Sequence, residues 1–171
     1  MTPTLSYQIN QILRGSIPFW MSLLLVFISV IPFRLPGFDM VTPLLLSISV
    51  FYWSLHRPYL LPPIVVFVLG VVQDTISGAP FGLTSLTMLI VYAIAASQRQ
   101  VFVGKPFIQM WWGFMLVAIG LSFLTWVVMC FYSLALIPIV PVMIQSGLTI
   151  LFFPLLAWIF ALVQSGLMKH I

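Results

Sequence analysis

The sequence predicts an all-α membrane protein, with six transmembrane helices in one compact bundle that occupies the whole chain, residues 1–171. Three observations lead there. Of the 171 residues, 63% are hydrophobic and only 5% charged, where soluble domains carry about 50% and about 25%. The mean hydropathy is +1.23. The apolar residues also fall into runs of spanning or near-spanning length, for which about 17–25 residues are needed. Six Lys and Arg with two Asp and Glu cannot clothe a water-facing surface. A soluble enzyme, a disordered tail and a nucleic-acid reader are thereby excluded.

The spans follow in order. The first covers residues 17–33, between Arg14 and the Arg34, Pro36, Gly37 group. The second covers 41–55, with Pro43 expected in the first turn, where a missing N–H costs nothing. The third covers 59–75 and has Pro62 and Pro63 in its opening turn; the fourth covers 81–97. The fifth, 107–134, and the sixth, 140–168, are longer and expected to tilt. Pro154 is expected to kink the sixth, because it removes a ladder donor. Spans two to four are short enough that two of them could instead form a re-entrant pair. Residues 1–16 hold no span. Leu5, Ile9, Ile12 and Leu13 share one helical face there, which suits a short helix in the inner interface. The first run is followed by no small-x-small cleavage site, so it reads as a span rather than a leader.

Six crossings put both termini on one side. That side would hold Arg14, Arg57, Arg99, Lys105 and Lys169, and the other side Arg34 with Asp39 and Asp74. Cation excess marks the cytoplasm, so both ends are expected there. Trp20, Trp53, Trp111 and Trp112 fall near the same ends, as interface-seeking indoles should. Cys130, the one cysteine, lies in an apolar run and reads as a small buried hydrophobe.

Groups that could carry chemistry are few. The sequence has no HExxH, no Walker loop, no GxSxG and no pair of adjacent carboxylates. His56 and His170 lack partners at metal-ligand spacing, and no cofactor is expected. The informative stretch is the turn between spans three and four: Gln73, Asp74, Ser77, Gly78, Pro80 and Gly82. A carboxylate ending an apolar helix needs water or donors. The first amides of the fourth helix could supply them, which would make Asp74 a latch on the hairpin. A partner or solute contact and a proton relay are its rival roles. Gly78 and Gly82 match GxxxG, but Pro80 between them points to a turn rather than a packing face. Arg57, Arg99 and Lys105 mark cytoplasmic loops; the segment 96–106, with Arg99 and Lys105, reads as a plain positively charged loop, with binding of anionic headgroups or a cytoplasmic partner as the alternative. Ala157, Ala161 and Ser165 recur every four residues as a helix-packing face, serving the bundle itself or a partner subunit.

The ordered set Trp53, Arg57-Pro58, Pro62-Pro63, Gly70, Asp74, Ser77-Gly78, Pro80, Gly82, followed by Ser97-Gln98-Arg99, resembles the MreD family of rod shape-determining membrane proteins, in its proteobacterial and especially alphaproteobacterial form. The resemblance covers roughly residues 50–107, and outside that region only length, hydrophobicity and span number agree. It implies a non-catalytic inner-membrane scaffold that binds MreC within the elongation complex and helps to position lateral peptidoglycan synthesis. RodA, a penicillin-binding transpeptidase, MreB and RodZ would belong to the same complex. It also implies a bundle similar to the substrate-binding subunits of energy-coupling-factor vitamin transporters, and a solute-binding subunit of that type is the competing reading. No motif within the resemblance marks the residues that would contact MreC.

Overall fold

The computed structural model describes residues 16–29, 42–102 and 104–168. They form helices and connecting turns, with no strand among the described residues. In chain order the helices are α1 (Ile17–Ser29), α2 (Leu45–His56), α3 (Pro63–Ser77), α4 (Leu83–Ser97), α5 (Arg99–Phe102), α6 (Phe107–Ser133) and α7 (Ile139–Met168), with a 3-10 turn over Pro58–Leu60. The N-terminal face of Leu5, Ile9, Ile12 and Leu13, together with Arg14, Arg34, Asp39, Lys169 and His170, lies outside the described residues.

Helix α2 is the centre of the bundle. Every residue from Leu45 to Leu55 is buried; the stretch holds no charged residue, its few hydroxyls are spread around the helix, and a helix without a polar face belongs inside. It packs against α1, α4, α6 and α7. Trp53 is fully buried beside Phe160, ring centroids 5.8 Å apart, which corrects its expected place at the membrane interface. Trp20 and Trp112 are exposed. Phe51, Phe114 and Phe153 form a ring cluster joining α2, α6 and α7, with Phe114 and Phe153 stacked at 4.3 Å.

The helix ends have local causes. Pro43 lies before α2 rather than in its first turn, and its carbonyl accepts from Leu45 N at 2.9 Å. The third helix starts later than residue 59, because Pro58–Leu60 closes as a separate 3-10 turn. Pro62, extended at φ −64° and ψ 157°, then leads into Pro63 at the first helical position. That position suits proline, whose ring presets φ and whose N–H is not needed there. The segment after α4 contains a short helix, α5, where a plain loop is expected.

Helices α6 and α7 are long and apolar enough to cross a membrane, with mean hydropathy 2.3 and 2.2 over their best windows. At 1.5 Å per residue they are roughly 40 and 45 Å long, against roughly 18–22 Å for α2, α3 and α4. Their outer surfaces carry exposed Leu116, Ile119, Phe123, Leu151, Leu155 and Trp158. The buried residues run from Met110 to Ser122 on α6 and from Thr149 to Phe160 on α7. At one end Gln164 of α7 still accepts from Tyr52 of α2, and at the other Trp126 Nε1 donates to Ile137 O, in the turn leading into α7, at 3.0 Å. Cys130 is half-buried in an apolar groove of about 360 Å³ there, lined also by Trp126, Phe131 and Leu134.

Candidate functional site

The α3–α4 hairpin is built from a tight turn and one carboxylate. Gly78 (φ +68°) ends α3 and Gly82 (φ +93°) precedes α4, both in left-handed conformations that side chains with a Cβ avoid. Glycine at the start of α4 leaves that helix without a capping side chain of its own. Asp74, reaching across from α3, takes the place of one. Its Oδ2 accepts from Gly82 N at 2.9 Å and its Oδ1 from Thr84 N at 3.0 Å. The side chain is buried, at 1% exposure. Two amide donors and the positive end of the α4 dipole therefore face a charge that lipid would otherwise exclude.

The neighbouring residues divide between the bundle and the surface. Gln73 Nε2 donates to the Ser29 hydroxyl of α1 at 3.0 Å, while Ser29 gives its own proton to Val26 O. Ser77 is exposed and donates to Gln73 O within its own helix, as Thr75 does to Val71 O. Pro80 O accepts from Leu83 N at 3.1 Å and closes the turn. Lower in the hairpin the two helices nearly touch. A Cβ on Gly70 would lie 2.4 Å from Ser85 Cα, so only glycine permits this approach.

A second cross-helix cap was not singled out by the sequence. Leu44 N, at the start of α2, donates to Thr149 Oγ1 of α7 at 3.0 Å, and Gln145 Nε2 donates to Thr42 O at 2.7 Å. Gln145 and Thr149 stand one helical turn apart in a helix that has no charged residue (Ile139–Met168), and that spacing was the available signal. Further polar ties join Ser22 to Ser49 at 2.7 Å and Tyr52 to Gln164 at 3.1 Å.

The other candidate residues are dispersed. Ala157 is buried against the core, while Ala161 and Ser165 are exposed on the same helix. Arg57 bonds the Tyr59 hydroxyl and lies over its ring, 5.8 Å from the centroid. Arg99 and Lys105 are exposed on and after α5. His56 stacks on Tyr52 at 4.2 Å.

One cavity lies between the two caps. It measures about 40 Å³ and is lined by Ser47, Thr84, Thr87, Ser122, Thr125 and Thr149 among apolar neighbours. Small-molecule sites run to about 300–1,000 Å³.

Residues 9–166 match the family MreD, rod shape-determining protein MreD. No curated protein and no solved structure matches the chain.

Proposed function

The chain belongs to the MreD family, and from that premise we propose that it serves as an inner-membrane scaffold of the elongation complex. Membership itself carries a role in rod-shape determination and a non-catalytic, membrane-bound character. The finer reading is that the chain crosses the bilayer six times with both termini cytoplasmic. It binds MreC through helix surfaces and so helps to position lateral peptidoglycan synthesis. RodA, the penicillin-binding transpeptidase, MreB and RodZ are partners in the same complex.

The observation that best supports this reading is where the polar groups point. Asp74, Gln73, Gln145, Thr149 and Gln164 all hydrogen-bond to other helices of the bundle or to the residues that lead into them. Polar groups used this way hold a surface in shape and leave little for turnover or transport. A vitamin-sized solute finds weaker support, since the hydroxyl-lined cavity of about 40 Å³ is several times too small and the groove of about 360 Å³ beside Cys130 is lined by apolar side chains with few polar groups to fix a solute.

The test is co-purification of the full chain with MreC from membranes, followed by photo-crosslinking from each helix. Stable recovery of MreC, with crosslinks confined to one or two helices, supports the scaffold. Failure to recover MreC with the folded wild-type chain overturns it.

A further inference from the structure

The cavity between α2, α4, α6 and α7 contains one anomaly. Ser122 lines it, is 6% exposed, and its hydroxyl has no hydrogen-bond partner among the described residues. Helical serines in lipid-facing proteins ordinarily bond back to a carbonyl three or four residues earlier. Ser22, Ser29, Ser77, Ser97, Ser146 and Ser165 all do so here, and among the buried serines only Ser54 of α2, away from this cavity, shares the condition of Ser122 within the described residues. A buried hydroxyl left unpaired costs about 1–3 kcal/mol, so such groups are normally satisfied by protein or by ordered water.

The lining fits water. Ser47, Thr87 and Thr149 use their protons on carbonyls of their own helices or of the residue preceding them. Each hydroxyl oxygen still has lone-pair capacity to accept from a guest. Ser122 can both donate and accept. No charged side chain lines the space, so a bare ion would meet no compensating charge. A water site needs roughly 10–15 Å³ and two to four polar partners. We propose that this cavity is a hydration site holding a cluster of about two or three water molecules. The cluster joins Ser122 of α6 to the two cross-helix caps, because Thr84 carries an amide held by Asp74 and Thr149 holds the Leu44 amide. Water thus completes the seam along which α6 meets α2 and α4.

Met88 makes the site readable, since it lines the cavity and is 2% exposed. The full chain, reconstituted in phosphatidylcholine–phosphatidylglycerol nanodiscs, is exposed to a synchrotron X-ray pulse, which generates hydroxyl radicals from bound as well as bulk water. Met88 should be oxidised at a rate within several-fold of exposed Met143 and well above buried Met110, which does not line the cavity. When ¹⁸O-water is mixed in before the pulse, ¹⁸O should enter the label on Met88 after a longer mixing time than that on Met143. Ser122→Val, which fills the space, should lower Met88 oxidation several-fold and leave Met143 unchanged. Wild-type Met88 labelled no more than Met110 overturns the proposal, and this arm needs no variant to fold. Undiminished Met88 labelling in a folded Ser122→Val chain overturns it too. So does a rise in thermal stability specific to sodium over choline, which would make the site a cation site.

Discussion

The indole of Trp111 donates to the carbonyl of Ile150 at 3.3 Å, and Ile150 is the residue whose helical donor Pro154 removes. Proline at position 154 has no N–H to return to the carbonyl four residues earlier. Helix α7 nevertheless stays helical through Pro154. A side chain from α6 provides the donor that the α7 backbone lacks. The proline that weakens one helix thereby creates a specific contact with its neighbour.

Trp111→Phe should therefore destabilise the bundle by about 1 kcal/mol, by leaving that carbonyl unpaired. Pro154→Ala restores a backbone donor, and in its presence Trp111→Phe should cost much less. A double-mutant cycle read by reversible denaturation in mixed micelles checks this. Equal costs in both backgrounds would show that the contact is incidental.

Removal of the Asp74 side chain should orphan the amides of Gly82 and Thr84. Asp74→Ala is expected to lower stability by about 2 kcal/mol, and Asp74→Asn, which keeps one carbonyl acceptor, by about half as much. Thermal unfolding of the purified chain ranks the three. If the alanine variant matched wild type, the carboxylate would not be holding the hairpin.

Gly70→Ala places a Cβ 2.4 Å from Ser85 Cα and 2.8 Å from Ser85 N, where backbone must move. Overpacking of this kind costs about 1–3 kcal/mol. Gly120→Ala, which meets nothing within 4 Å, should be neutral or gain up to about 1 kcal/mol in helix propensity. Opposite signs for the two substitutions in one unfolding assay are the expected result.

Ala157 and Ala161 are one turn apart on α7, but the first is buried and the second exposed. Ala157→Leu should lose about 1–3 kcal/mol, while Ala161→Leu should stay within about 0.5 kcal/mol of wild type. Urea-free thermal aggregation of the two variants side by side measures the contrast. Equal losses would mean that both positions face the core.

The hairpin was legible in the sequence because its signals are local. A carboxylate at the end of an apolar stretch, two glycines and a proline within a few residues define a turn and a buried charge near it. Gln145, Thr149 and Ser122 were not legible. Each is an isolated polar residue in a long apolar helix, and its meaning depends on which helix lies opposite. Trp53 misled for a related reason. A tryptophan near a helix end usually seeks the interface, but here its helix is enclosed on all sides and the indole packs on Phe160.

The amino-acid sequence by itself determined that the chain is helical and apolar, roughly where its longer helices lie, and which family it belongs to. These properties follow from composition, run length and short-range backbone chemistry, all of which act along the chain. Only the tertiary structure decided that α2 forms the core, that α6 repairs the break Pro154 makes in α7, and that caps for α2 and α4 come from other helices. Those outcomes turn on contacts between residues more than 100 positions apart, as with Leu44 and Thr149, 105 apart, and Tyr52 and Gln164, 112 apart. In a chain whose surfaces are almost uniformly apolar, hydrophobicity alone cannot choose among helix pairings, and the few hydrogen-bonding side chains and close backbone approaches make the choice.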